Sequence, residues 1–177
     1  MGQPEIDEHD FPIESFKDVL TANEHFAQNF KHMDLTGRAA KELAIVTCID
    51  SRINPLDIVG MKPGDVKILR NAGARVTDDV LRTLVLATWL LGVKRVLVIP
   101  HTDCKMATGS EADVHAAIFK ESGVDTRGIE IRTVADQLAA LATDIQRIKS
   151  FPVLPTDLIV GGAIYDVNTG KILPQDS

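Results

Sequence analysis

The sequence predicts an α/β domain: a mostly parallel central β-sheet flanked by helices, with a short antiparallel edge strand and an N-terminal helical arm. Three observations predict it. Short, near-continuous apolar runs alternate with longer segments of three-four periodicity, as strands covered on both faces and joined by helices do. The last long apolar run is followed by an Asn168-Thr169-Gly170 turn and a second short run, the pattern of a closing hairpin. A 45% share of hydrophobic residues in 177 supplies a core for a single domain, residues 1–177, without covalent staples.

The elements follow in order. Residues 1–12 hold Pro4, Pro12 and several acids and read as a loose arm. Residues 13–33 read as a helix, with Phe16, Val19, Leu20, Phe26 and Phe30 recurring roughly on one face. Such a face needs cover, either from a second subunit or from the chain's own core. Leu43-Ala44-Ile45-Val46-Thr47 reads as the first strand, and Val66-Lys67-Ile68-Leu69, after the Pro63-Gly64-Asp65 turn, as the second. Thr77 before Asp78 and Asp79 marks a helix start; Val80, Leu81, Leu84, Val85, Thr88 and Leu91 face inward, and Gly92 ends the helix.

Arg95-Val96-Leu97-Val98-Ile99 is the third strand. Ser110 with Asp113 forms a capping-box pattern for a helix that stops at Gly123. Thr133 with Asp136 opens a longer helix in the same way, with Val134, Leu138, Leu141, Ile145 and Ile148 as its inner stripe. Leu158 to Ile164 is the fourth strand and Lys171-Ile172-Leu173 a short last one.

A net charge of −6 and a pI near 5.3, with no basic stripe, argue against nucleic acid and anionic membrane surfaces as partners. The longest apolar run, about Leu84 to Val93, is too short to span a bilayer. The acidic beginning, Met1-Gly2-Gln3-Pro4-Glu5, has no basic or apolar leader pattern, so a cytoplasmic protein is expected.

Both cysteines lie in two short clusters: Cys48-Ile49-Asp50-Ser51-Arg52 after the first strand, and His101-Thr102-Asp103-Cys104 after the third. In a parallel sheet, ligands bind at the carboxyl ends of strands, where both clusters should meet. Two thiols and one imidazole make three zinc ligands and leave a fourth position for water. A buried apolar cysteine or a Cys48–Cys104 disulfide is the plain alternative, less suited to a reducing compartment. Zinc with two thiolates and a neutral imidazole carries no net charge and acidifies water less than a three-histidine site. A hydroxide must then be formed and aimed. Asp50 can accept its hydrogen, and Arg52 can keep Asp50 ionised and in place; a surface ion pair of little consequence is the bland reading. Gly73, in Arg70-Asn71-Ala72-Gly73 after the second strand, is either a close-approach position for a small substrate or a turn glycine. Asp103 is either a support for the ligands or a solvated acid. His9, His25, His32 and His115 show no ligand spacing and read as surface residues.

Cys-x-Asp-x-Arg followed by His-x-x-Cys on this α/β order resembles the β-class carbonic anhydrases, in their compact prokaryotic-type branch. The resemblance runs from about Leu43 to the last strand and includes Arg70-Asn71-Ala72-Gly73. It implies zinc held by Cys48, His101 and Cys104, and an Asp50–Arg52 dyad that frees and orients the nucleophile. It implies reversible hydration of carbon dioxide to bicarbonate, with Asp50 as a fourth ligand in a closed state. It also implies a homodimer or higher homo-oligomer whose N-terminal helices (residues 1–40) embrace the partner. Lys105 departs from the glycine common at that position and bears on rate and substrate. Some relatives prefer carbon disulfide or carbonyl sulfide, and the ligand set does not separate these substrates. A zinc-binding or redox-responsive protein without turnover is the reading from another class.

Overall fold

The structure, a computed structural model, describes residues 11–176. His9 and most of the expected loose arm lie outside that range. Two compact units divide the chain, Met1–Leu35 and Thr36–Ser177.

In the first unit a 3-10 turn, Ile13–Phe16, leads into helix α1, Lys17–Gln28. The helix ends five residues before the predicted boundary, where the chain turns at Asn29. Phe26 and Phe30 pack with ring centroids 5.7 Å apart and their planes tilted by 56°. Phe16, Val19, Leu20, Phe26 and Phe30 are exposed.

The second unit is a five-stranded sheet in the order β2-β1-β3-β4-β5, from β1 Leu43–Cys48, β2 Val66–Asn71, β3 Arg95–Ile99, β4 Ile159–Tyr165 and β5 Ile172–Gln175. The first four strands are parallel and β5 runs antiparallel to β4. Every β1 residue is buried, which explains why this strand is apolar throughout rather than alternating. Its one hydroxyl is satisfied: Thr47 Oγ1 donates to the Ile99 carbonyl at 2.8 Å.

Helices α3, Asp78–Trp89, and α5, Gln137–Lys149, contribute Leu84, Leu141, Ile145 and Ile148 to one core with Ala44, Val46, Val96 and Val98. A smaller core on the other face holds Leu43, Ile45 and Ile99. Gly162 on β4 lies directly under α5. A Cβ there would stand 2.5 Å from Ile145 Cδ1 and 3.1 Å from the Leu141 methyls, so a larger residue would push those two side chains aside.

Local signals placed some helix ends and missed others: α3 stops at Trp89, before the expected Gly92, with Leu90 as its C-cap. Thr77 caps α3 by accepting from the Val80 N–H. Ser110 and Asp113 form the reciprocal box that opens α4, Glu111–Ser122, and Gly123 closes it at φ 72°. The α5 start is a correction. Its cap is Asp136, whose carboxylate accepts from Leu138 and Ala139 N–H, and not Thr133. Val134 is buried as predicted but precedes the helix, because its N–H donates to the Met106 carbonyl. A further short helix, α2 Pro55–Ile58, lacked the length to show periodicity.

Candidate metal centre

Strand β1 ends at Cys48, and His101 follows two residues after the end of β3. The two strands are neighbours, with Thr47 opposite Ile99. Strand order reverses between them, β2 lying to one side of β1 and β3 to the other, so their carboxyl ends open a crevice. There the side chains of Cys48, His101 and Cys104 converge, all buried, with ligand atoms within 4.8 Å of one another. The two sulfurs are 3.9 Å apart and unbonded. A disulfide needs about 2.05 Å; two thiolates on one tetrahedral zinc, each about 2.3 Å from it, stand about 3.8 Å apart.

His101 supplies the sharper test. Its Nδ1 lies 2.8 Å from the Thr102 carbonyl. A carbonyl only accepts, so Nδ1 carries the proton and Nε2 keeps its lone pair. Nε2 is fully buried and has no hydrogen-bond partner among the described residues. An orphaned acceptor is costly in a core, and here it faces two sulfurs. The three residues could therefore hold a metal ion, and their donor set suits zinc. Burial pushes the Cys104 thiol up to about 11, with the nearby Cys48 sulfur and Asp50 adding to it. A metal binding there must displace that proton.

Surrounding groups hold the donors in place. The Gly73 N–H points at Cys48 Sγ from 3.4 Å, at a positive φ of 80°. A Cβ on Gly73 would press on Met106 at 3.3 Å, so glycine permits a backbone approach to the sulfur. Asn71 closes this turn: its Oδ1 accepts from Arg75 N–H and its Nδ2 donates to the Arg75 carbonyl. Gln137, the first residue of α5, donates to the His101 carbonyl at 2.6 Å.

Asp50 and Arg52 meet as predicted. Arg52 donates to both Asp50 oxygens, from Nε at 3.0 Å and Nη2 at 2.8 Å, and its backbone N–H adds a third bond. These bonds hold the Asp50 carboxyl well below the usual range and raise the Arg52 guanidinium further. Asp50 Oδ2 lies 3.8 Å from His101 Nε2, beside the cluster.

Two residues without an assigned task complete the arrangement. Arg70 donates to the Cys48 carbonyl at 2.9 Å and the Asp50 carbonyl at 2.7 Å, clamping the loop that carries both. Asp103 is no free acid: its Oδ2 accepts from Arg52 Nη1 at 2.8 Å. The position of Arg70 at the carboxyl end of β2 was a usable signal; Gln137 had none in the sequence. His25 and His32 are exposed, whereas His115 is half-buried and bonds Thr126 Oγ1.

Residues 43–125 match the family model described as carbonic anhydrase. The chain is 34% identical over 155 residues to β-carbonic anhydrase 1 of Mycobacterium bovis, covering 88% of this chain and 94% of that protein. It is 30% identical to a carbon disulfide hydrolase of Saccharolobus solfataricus, covering 75% and 76%. The crystal structure of a carbonic anhydrase from Streptococcus mutans superposes with a TM-score of 0.85 at 35% identity, over 91% of this chain and 97% of that one.

Proposed function

The chain belongs to the β-carbonic anhydrase family, and on that premise we propose that it is a zinc-dependent lyase interconverting carbon dioxide and bicarbonate with release of a proton. The observation that carries this reading is the buried Cys48–His101–Cys104 cluster, with its orphaned imidazole nitrogen, beside a paired Asp50–Arg52. Zinc, when bound by these three side chains, supplies a Lewis acid that lowers the pKa of water towards neutrality.

The rest falls to the chain. Asp50 stands next to the cluster with an ionised carboxylate and accepts a hydrogen of the attacking water, turning a lone pair towards the substrate carbon. Arg52 keeps that carboxylate charged and aimed. Arg70 fixes the backbone on which Cys48 and Asp50 both stand. Gly73, Ala74, Pro100, Ala107 and Val134 place apolar wall beside Cys104, where an uncharged molecule would approach, with the Arg75–Asp144 pair and Gln137 on the same wall.

The assembly belongs to the same proposal: a homodimer or higher homo-oligomer, in which a second copy covers the exposed apolar face of α1. The two free thiols fit a reducing compartment such as the cytoplasm.

Stopped-flow carbon dioxide hydration on protein of measured zinc content tests the reading. Turnover proportional to zinc is expected; a fully zinc-loaded protein without hydration overturns it. Hydrolysis of carbon disulfide or carbonyl sulfide on the same residues is the second reading, favoured by the likeness to carbon disulfide hydrolases. Sulfide release exceeding carbon dioxide hydration would establish it.

A further inference from the structure

Arg52 is held by two acids, and one of them comes from the other loop. Its Nε and Nη2 serve Asp50. Its Nη1 donates to Asp103 Oδ2 at 2.8 Å, and Nη2 also reaches the Asp103 carbonyl at 3.1 Å. All three guanidinium nitrogens are engaged. Asp50 and Arg52 stand two residues apart on one loop, so their pairing fixes each relative to the other; Arg70 holds that loop's backbone, but neither contact ties the two side chains to the loop of His101 and Cys104. Asp103 stands between His101 and Cys104. Its bond ties the pair to the loop that carries the other two donors.

The backbone of Asp103 is unusual too. Its φ is 55°, a left-handed conformation that a Cβ disfavours and that Asp tolerates better than most residues. In that conformation its carboxylate and its carbonyl both reach one guanidinium. We propose that Asp103 is a positioning residue: it anchors Arg52 across the two loops and thereby sets the direction in which Asp50 presents its carboxylate to the metal site. The proposal rests on the carbon dioxide reading for its effect on rate, but the anchor itself does not depend on the substrate.

An exposed ion pair adds little to stability, and Asp103 and Arg52 are both substantially exposed. Orientation is the quantity at stake. Displacing a reacting group by about 1 Å costs on the order of a hundredfold in rate, so a lost anchor shows in turnover while folding is unaffected.

Asp103→Gly removes the side chain and leaves the left-handed backbone accessible. Asp103→Asn keeps an acceptor oxygen in the same place. Asp103→Gly is expected to bind zinc fully, to melt with the wild type, and to turn over about tenfold more slowly, with Asp103→Asn recovering most of that loss. Added to Arg52→Ala, it should change nothing further. Nitrogen-15 spectra of the zinc-loaded protein should show the Arg52 Nη1 protons protected in the wild type and exchanging freely in Asp103→Gly.

Wild-type turnover in Asp103→Gly, loss of its zinc, or an equal loss in the Arg52→Ala background overturns the proposal. Should the wild type fail to hydrate carbon dioxide, the functional reading falls, and the spectra still decide the anchor: unchanged Arg52 protection in Asp103→Gly refutes it.

Discussion

Asp50–Arg52 and Asp125–Arg127 are the same local device in two different settings. In each, the arginine backbone N–H reaches the aspartate two residues earlier, at 2.9 and 3.0 Å, and Nη2 reaches the other carboxylate oxygen at 2.8 and 2.7 Å. In each, the guanidinium holds the carboxyl well below its usual range. Asp125–Arg127 lies in the exposed loop after α4, at the rim of a cleft with His115 and Phe119. Asp50–Arg52 lies beside three buried donors, with its backbone clamped by Arg70 and its guanidinium shared with Asp103. The motif is thus a turn that any stretch of chain can make. What separates the two is the set of groups that distant strands bring against it.

The comparison breaks most completely at the donors. Cys48→Ser should lose both zinc and turnover, seen by elemental analysis and stopped flow, while Asp125–Arg127 is untouched. Asp50→Ala should keep its zinc and lose about two to three orders of magnitude in turnover number, the usual cost of removing one group that acts on the transition state. Full activity in that variant would remove Asp50 from the chemistry.

A third pair sharpens the contrast through stability. Arg75 donates to Asp144 at 2.6 Å, and Asp144 is almost wholly buried. Asp144→Ala leaves the guanidinium without its buried partner and should cost about 3–5 kcal/mol, lowering the melting temperature by roughly 10 °C.

The pH profile is next in size. The Asp50 pKa is lowered, so its contribution is complete above the ordinary carboxylate value of about 4 and is lost only as pH falls through the lower folded value. Asp50 therefore stays charged between roughly pH 6 and 9, and the climb in activity expected over that range belongs to water at the metal site. A flat profile would contradict this assignment. The smallest effect tests the motif itself: Asp125→Ala should leave turnover and zinc unchanged, measured beside Asp50→Ala.

Much of this was legible because the signals are local. The apolar run of β1, the Thr77 cap and the Ser110–Asp113 box each depend on residues within one or two turns of chain. The Thr133 start failed for the complementary reason: Val134 N–H takes the Met106 carbonyl, and a distant acceptor overrode a local pattern. The cluster itself was readable because two cysteines and a histidine stand at strand ends, where parallel-sheet geometry brings them together.

By itself the sequence determined the types of the longer elements, the Thr77 cap, the Ser110–Asp113 box and the Asp-x-Arg turn, since each is encoded in residues close along the chain. Tertiary structure alone decided that Arg70 braces the Cys48 loop, that Asp103 reaches Arg52, that Gln137 holds His101 and that α5 rests on Gly162. Those contacts follow from strand order and register, which the whole sheet settles at once and no short stretch of residues encodes.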